Sequence, residues 1–294
     1  MKLTRYQGAA EFLQHARGPL EEQEAANNLI VGIPARVVEL PGVFGLHQIY
    51  LATVNDGDKL VAAAVRTPPH PLILYSARGA DEEPLRLIVD DLQAFMAGED
   101  PTIPAAQLSG VNAHADTARA FAGLWTARTG QPHELAMNMR IYELREVTPP
   151  QNARGSLRQA RQDELDLLTE WVFWFNVDCH LPEIDKAKAR ETALRHLDGG
   201  SMFLWDVDGA AVAMAARGRN SSHGVTIGMV YTPPELRGRG YASACVAALS
   251  QQLLDAGWEF CDLYTDLANP TSNSIYQRIG YRPVCDANVY HFKS

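Results

Sequence analysis

Along the second half of the chain, the spacing of apolar residues switches repeatedly between alternation and a helical period, with turn residues at each switch. MFLWDVDGAAVAMAARGR reads as two strands meeting at Asp208-Gly209, a dipeptide suited to a tight hairpin. GVTIGMVYT is a third strand, and GYASACVAALSQQLLDAG is a helix of small and apolar residues stopped by Gly257. FCDLYTDL is a strand, SNSIYQRIG a short helix stopped by Gly280, and YRPVCDANVYHF a last extended stretch. Ahead of the hairpin, SLRQARQDELDLLTEWVFWFN begins extended and turns helical. Its positions Leu165, Leu168, Val172 and Phe175 share a face, and Asp163 stands as the N-cap. A hairpin followed by β-α-β-α-β calls for a mixed α/β fold, a largely antiparallel sheet flanked by helices.

The first half repeats this order loosely. GLHQIYLATVNDGDKLVAAAVRT has strand character with a turn at Asp56-Gly57, PLILYSA matches the third strand, and EPLRLIVDDLQAFMAG matches the long helix. AQLSGVNAHADTARAFAGLWTARTG then supplies a strand and a short helix, with LWTARTG opposite IYQRIGY. The pattern implies an internal duplication. The boundary falls at Val147 to Ser156, rich in Pro, Asn, Gly and Ser, after the strand-like MRIYELREV. Two domains follow, 1–146 and 155–294, and a length of 294 residues accommodates both.

Charge narrows the classes of partner. The net charge is −9, with 18 acids to 12 bases in residues 1–150 and 17 to 14 in the remainder. Neither half is the basic body that a phosphate backbone attracts, so no nucleic-acid partner is expected. No apolar run is long enough to span a bilayer and the first residues lack a secretory core, which together point to the cytoplasm. Cys179, Cys245, Cys261 and Cys285 form no C-x-x-C pair; no metal site is expected, and buried thiols are the simplest reading.

The chemistry concentrates in TIGMVYTPPELRGRGYASACVAAL. A strand ends at Tyr231-Thr232, a turn passes through Pro233-Pro234, and a glycine loop opens directly into a helix. The first amides of a helix have no intrahelical acceptor, and the helix dipole favours an anion there. Gly238 and Gly240 allow close backbone approach, Arg237 and Arg239 add positive charge, and a pyrophosphate is the natural guest. A chance turn would also hold glycines. An RGG-type nucleic-acid patch fits poorly, because such patches are repetitive and this segment lies between a strand and a helix.

These residues resemble motif A of the GCN5-related N-acetyltransferases, Q/R-x-x-G-x-G/A, with Arg237, Gly240 and Ala242 at the specified places. Asn269-Pro-Thr-Ser-Asn273-Ser-Ile-Tyr276-Gln-Arg-Ile-Gly280-Tyr281 is similar to the family's N-x-x-A-x-x-x-Y-x-x-x-G-F/Y, with Ser272 in place of the common Ala. The resemblance is close over 155–294 and only an echo over 1–146. It implies acetyl-CoA as cosubstrate and a primary amine of a small molecule or peptide as acceptor. It also implies that Val230, Tyr231 and Thr232 hold the pantetheine arm while Arg237, Gly238, Arg239, Gly240, Tyr241 and Ala242 cradle the pyrophosphate. Tyr276 would protonate the leaving thiolate, its alternative being a core aromatic. Asn269 would fix the cofactor arm or simply cap a turn.

The resemblance leaves the general base open. The strand GVTIGMVYT has no carboxylate where many relatives carry Glu; Glu170, Asp178, His180, Glu183, His223 or a water relay are candidates. Trp171, Phe173, Trp174 and Phe175 cannot all face one core, which frees at least one for a pocket or an interface. The first half has no glycine loop; Asp81-Glu82-Glu83 falls where phosphate would sit, and Trp125 stands near the place of Tyr276. This half is therefore expected to bind no CoA. A second class of function is a non-catalytic acyl-CoA-binding or regulatory protein. The tandem layout is also similar to mycothiol synthases, though no residue set singles out that substrate. A tandem tRNA-dependent aminoacyl transferase conflicts with the acidic charge and the intact loop.

Overall fold

The computed structural model describes residues 1–42, 49–98, 107–151 and 154–293. The first four residues of the strand read from Gly45, the Ala106 that opens the AQLSGVNAH segment, and Asn152-Ala153 of the boundary segment lie outside the described residues. The chain forms two compact units, Met1–Ile141 with Val284–Ser294, and Tyr142–Pro283.

The first run of elements is β1 (Lys2–Arg5), α1 (Ala9–Glu21), α2 (Asn28–Glu39), β2 (Tyr50–Asp56), β3 (Lys59–Arg66), β4 (Leu72–Ser76), α3 (Glu82–Ala97), β5 (Gly110–His114), α4 (Ala115–Thr129) and β6 (His133–Leu144). The second is β7 (Ser156–Gln159), α5 (Leu165–Asp178), α6 (Lys186–Asp198), β8 (Met202–Val207), β9 (Ala210–Asn220), β10 (Gly224–Tyr231), α7 (Tyr241–Asp255), β11 (Phe260–Asp266), α8 (Pro270–Arg278) and β12 (Arg282–Phe292). Apart from single 3-10 turns at Gln162–Glu164 and Pro234–Leu236, the two runs follow one plan, β-α-α-β-β-β-α-β-α-β. The duplication that the sequence carries as a loose echo is complete in the order of elements.

In the first unit the strands run β1-β2-β3-β4-β5-β12-β6; in the second they run β11-β10-β9-β8-β7. The pairs β4–β5 and β10–β11 are parallel, and the hairpin pairs β2–β3 and β8–β9 are antiparallel. The chain's last strand pairs through Ala287–His291 with β5, so it counts with the first unit although it follows the second in sequence. The β8–β9 turn places Asp208 at φ 52 and Gly209 at φ 85, the left-handed pair that a two-residue hairpin of this kind requires.

Each unit buries both faces of its sheet. In the second, Val225, Ile227, Cys261 and Leu263 pack with Cys245 and Leu249 of α7 and Tyr276 of α8. On the other face Leu204, Met214 and Tyr231 pack with Leu168 and Val172 of α5 and with Ala189 and Ala193 of α6. Burying one such leucine contributes about 2 kcal/mol. In the first unit α3 and α4 cover one face and α1 and α2 the other. No described helix is long and apolar enough to cross a membrane.

Two expectations need correction. Asp163 does not cap α5; it lies in the 3-10 turn before the helix. Glu164 is the N-cap residue of α5 but makes no side-chain capping bond to it; its carboxylate closes the preceding 3-10 turn, accepting the Arg161 amide at 2.8 Å, and pairs with Arg158 at 2.7 Å. Burial alone would raise the Glu164 carboxyl, but the Arg158 and Arg161 hydrogen bonds outweigh it and hold the group below its usual range. Of the four thiols, Cys245 and Cys261 are buried, whereas Cys179 and Cys285 are only partly covered.

Candidate active site

Strands β10 and β11 are side by side only from Gly224–Thr226 against Phe260–Asp262. Beyond Thr226, β10 keeps its partner on the β9 side but has no ladder contact with β11. The register against β9 slips between Gly228 and Tyr231, and Met229 sits at φ 51. This bulge reverses the alternation. Val225 and Ile227 face α7, whereas past the bulge Met229 and Tyr231 face α5 and Val230 faces α7. A parted pair of parallel strands, one of them bulged, leaves backbone groups of Val230 and Tyr231 along an open slot.

At the end of that slot Thr232 is buried, and its Oγ1 has no hydrogen-bond partner among the described residues. The loop then turns through left-handed Gly238 (φ 77) and Gly240 (φ 80), and Gly240 is the N-cap of α7. No side chain caps this helix, and its first intrahelical bond runs from the Ala244 amide to the Gly240 carbonyl. The amides of Tyr241, Ala242 and Ser243 therefore precede the helical ladder, the arrangement that receives an anion. A Cβ at Gly238 or Gly240 would meet no atom within 4 Å, so the glycines are needed for their φ rather than for space.

Each of the two arginines also holds a backbone carbonyl near the loop. The Arg237 Nε donates to the Thr232 carbonyl at 2.9 Å, its guanidinium pairs with Asp178 at the end of α5, and it lies 5.8 Å from the centre of the Tyr231 ring. Arg237 thereby ties the loop to the strand end and to α5. Arg239 reaches the Glu235 carbonyl at 3.4 Å.

Tyr276 is 8% exposed, with its ring 5.9 Å from Tyr281 and 6.5 Å from Tyr142. Burial raises its phenol above the ordinary range and the nearby Cys179 adds to this, so the hydroxyl stays protonated. Burial, then Asp178 and Asp266, push the Cys179 thiol up to about 11, which keeps it from being a ready nucleophile. The Asn269 side chain accepts the Ser272 amide at 3.0 Å and caps α8. Asn273 joins the pieces: its Nδ2 donates to the Asp266 and Asn269 carbonyls at 2.9 and 2.7 Å, and its Oδ1 accepts from the Tyr142 hydroxyl at 2.9 Å. It is a polar residue within the quoted motif whose role the sequence alone did not assign.

Two of the base candidates are committed elsewhere: Glu170 pairs with Lys186, and Asp178 with Arg237. His180 is exposed at φ 50. The aromatic run divides as its crowding demands. Trp171 is buried 6.1 Å from Tyr231, Phe173 lies under Lys186, Phe175 packs into the α5 core, and Trp174 is 46% exposed. Sequence reading passed over one buried carboxylate: Asp262, on β11, is 1% exposed and accepts a hydrogen bond from Thr226 at 2.8 Å.

The corresponding place in the first unit is closed by its own side chains. Asp81 caps α3 by accepting the Glu83 amide at 3.1 Å. Arg78 is held between Asp56 at 2.6 Å and Asp81 at 3.7 Å. Trp125 is a core residue whose indole N–H is used by Gln131 at 2.9 Å.

Residues 207–290 match the model of the FR47-like protein family. No curated protein matches the chain. A GNAT-family acetyltransferase from Colwellia psychrerythraea is 10% identical with a TM-score of 0.57, the match covering 99% of each chain. A GCN5-related N-acetyltransferase from Sphaerobacter thermophilus is 15% identical with a TM-score of 0.59, covering 99% of this chain and 95% of its own. A tandem GNAT protein from the clavulanic acid biosynthesis pathway is 12% identical with a TM-score of 0.55, covering 99% and 98%. With its two motifs and this repeated architecture, the chain has the fold of the GCN5-related N-acetyltransferases, present as two such units, with the FR47-like segment beginning in the second.

Proposed function

We propose that the chain is an N-acyltransferase that moves an acetyl group from acetyl-CoA to a primary amine of a small molecule or peptide. The observation that carries this reading is the junction of β10 with α7, where a bulged strand parted from its neighbour runs through two left-handed glycines into a helix with no side-chain cap. The orphaned Thr232 Oγ1 adds a buried polar group facing no protein partner, which suits the oxygen- and nitrogen-rich arm of a CoA ester.

Bound there, acetyl-CoA supplies an activated acyl thioester. The first amides of α7 and the glycine loop would hold its pyrophosphate, and Val230, Tyr231 and Thr232 its pantetheine arm. The amides of the bulged strand would draw charge onto the carbonyl oxygen during attack. Tyr276 would give its proton to the leaving sulfur. The cytoplasm, where acyl-CoA is made and used, is the compartment proposed.

Calorimetric titration with acetyl-CoA, followed by thiol release in the presence of ethanolamine, putrescine, tyramine and a dipeptide, tests the reading. Saturable binding with amine-dependent thiol release is expected. Binding without release from any probe would favour a non-catalytic acyl-CoA-binding protein, and absence of binding would remove the reading altogether.

A further inference from the structure

We infer that Asp262, acting through the Thr226 hydroxyl, takes up the proton of the attacking amine; the inference rests on the transferase reading above. Thr226 and Asp262 form the last pair before β10 and β11 part, and their side chains are joined by a hydrogen bond of 2.8 Å. They therefore stand at the head of the slot.

The faces of the sheet separate the two proton-transfer groups. Val225 and Ile227 on β10, and Cys261 and Leu263 on β11, all point into the core under α7 and α8, the core to which Tyr276 belongs. Alternation places Thr226 and Asp262, which lie between them, on the opposite face. A thioester lying in the slot would have the Tyr276 phenol on one side and the Thr226–Asp262 pair on the other. An amine attacking a planar carbonyl approaches from one face, so an acid on one side of the sheet and a base on the other is a workable division.

The hydrogen bond also has the right polarity. A carboxylate can only accept, so Thr226 donates to Asp262 and keeps its oxygen lone pairs for another partner. As the amine attacks, the C–N bond forms at the thioester carbonyl carbon and the C–S bond breaks. The surplus nitrogen proton passes to Thr226 Oγ1 while the Thr226 proton moves to Asp262, and the leaving sulfur takes the Tyr276 proton. Solvent then carries a proton from Asp262 back to Tyr276. The sum is amine plus thioester giving amide plus thiol. The relay also explains how β10 can lack a carboxylate, because the acid side chain is supplied by the next strand.

Three substitutions in the full chain test it: Thr226→Val, which removes the hydroxyl at nearly constant volume, Thr226→Ser, which keeps it, and Asp262→Asn. With ethanolamine, putrescine, tyramine and a dipeptide as probes, Thr226→Val and Asp262→Asn should lower kcat about 10²- to 10⁴-fold. Thr226→Ser should stay within roughly threefold of wild type, since the relay hydroxyl is retained. Acetyl-CoA affinity by calorimetry should be unchanged in all three. The affinity of the accepted probe for protein without acetyl-CoA should weaken roughly 2- to 10-fold in Thr226→Val, which loses one hydrogen-bond acceptor. Should Asp262→Asn fail to fold, the Thr226 pair decides alone. Wild-type turnover in Thr226→Val, or equal losses in the Val and Ser variants, overturns the inference and leaves the transferase reading standing. No turnover of any probe by the wild type overturns both.

Discussion

Replacing Gly240 with alanine separates the loop's backbone geometry from its charges. Gly240 holds φ 80 as the N-cap of α7, and an added Cβ would meet nothing within 4 Å. With no clash, the cost is that of holding an L-residue in the left-handed region, about 1–2 kcal/mol. That free energy appears in one of two places. If the loop keeps its shape, the unliganded protein loses the full amount, and Tm falls roughly 2–4 °C per kcal/mol. If residue 240 relaxes to negative φ, stability is spared but the first amides of α7 move off their target, and acetyl-CoA affinity falls roughly 5- to 30-fold. Gly238, Arg239 and Gly240 are exposed, whereas α7 is anchored by fully buried Cys245, Val246 and Leu249. The loop is the softer part, so most of the loss should fall on binding. Gly209→Ala is the control: φ 85, equally open space, at the β8–β9 turn. It should lower Tm and leave acetyl-CoA affinity intact. Calorimetry and thermal melts of both variants decide the matter. If Gly240→Ala changes neither quantity, or weakens binding no more than Gly209→Ala does, the loop does not bind as argued.

Two further outcomes follow from the same geometry. Arg237→Met should weaken acetyl-CoA binding about 10-fold by releasing the loop from the Thr232 carbonyl, with little change in Tm because its ion pair with Asp178 is half-exposed; unchanged affinity by calorimetry would deny it that task. Tyr276→Phe should lower turnover about 10²- to 10⁴-fold at constant acetyl-CoA affinity. Because burial raises the Tyr276 phenol above its ordinary 10, its loss of the proton should limit kcat only above pH 10. An alkaline limb near pH 8 that disappears in the Phe variant would contradict the assignment.

The strands and helices easiest to read were those whose apolar spacing was dense and whose ends carried glycine. The long α7, the β8–β9 hairpin at Asp208-Gly209 and the glycine loop were all legible, because each depends on local backbone demands that few residue types meet. Helices α1, α2 and α6 were not read. Pro19 sits inside α1 and Pro34 inside α2, and α6 buries only Ala189, Ala193 and Leu197 among charged neighbours. Tertiary cover, not local pattern, makes them helical. The site divided in the same way. Its loop was visible as a motif, but the Thr226–Asp262 contact joins residues 36 apart in sequence, and only strand register brings them together. Arg237 was legible as a charge and not as a tie, since nothing in the sequence says that Asp178 stands beside it.

The two helix N-termini, α3 in the first unit and α7 in the second, occupy the same step of one repeated plan and make opposite use of it. The first amides of any helix need an acceptor. In α3 Asp81 supplies one from the chain itself, a cap that stabilises by about 1 kcal/mol over a residue without such a side chain. In α7 Gly240 supplies none, and those amides remain available to a ligand. A helix start cannot serve both purposes well, because a capping carboxylate within about 4 Å of a phosphate repels it by roughly 1–4 kcal/mol per charge pair. Glu82 and Glu83 in the same turn add to that repulsion, and Arg78 is already held by Asp56 and Asp81. The chain should therefore bind one acetyl-CoA, and calorimetry should return a stoichiometry of about one per chain. Asp81→Ala should not raise it, because the acidic turn and the committed Arg78 remain; the variant should only lower Tm, in step with about 1 kcal/mol of lost capping. A stoichiometry of two in the wild type would show that the capped start of α3 binds the cofactor after all, and a second site gained by removing Asp81 alone would show that the acidic turn and the held Arg78 play no part in excluding it.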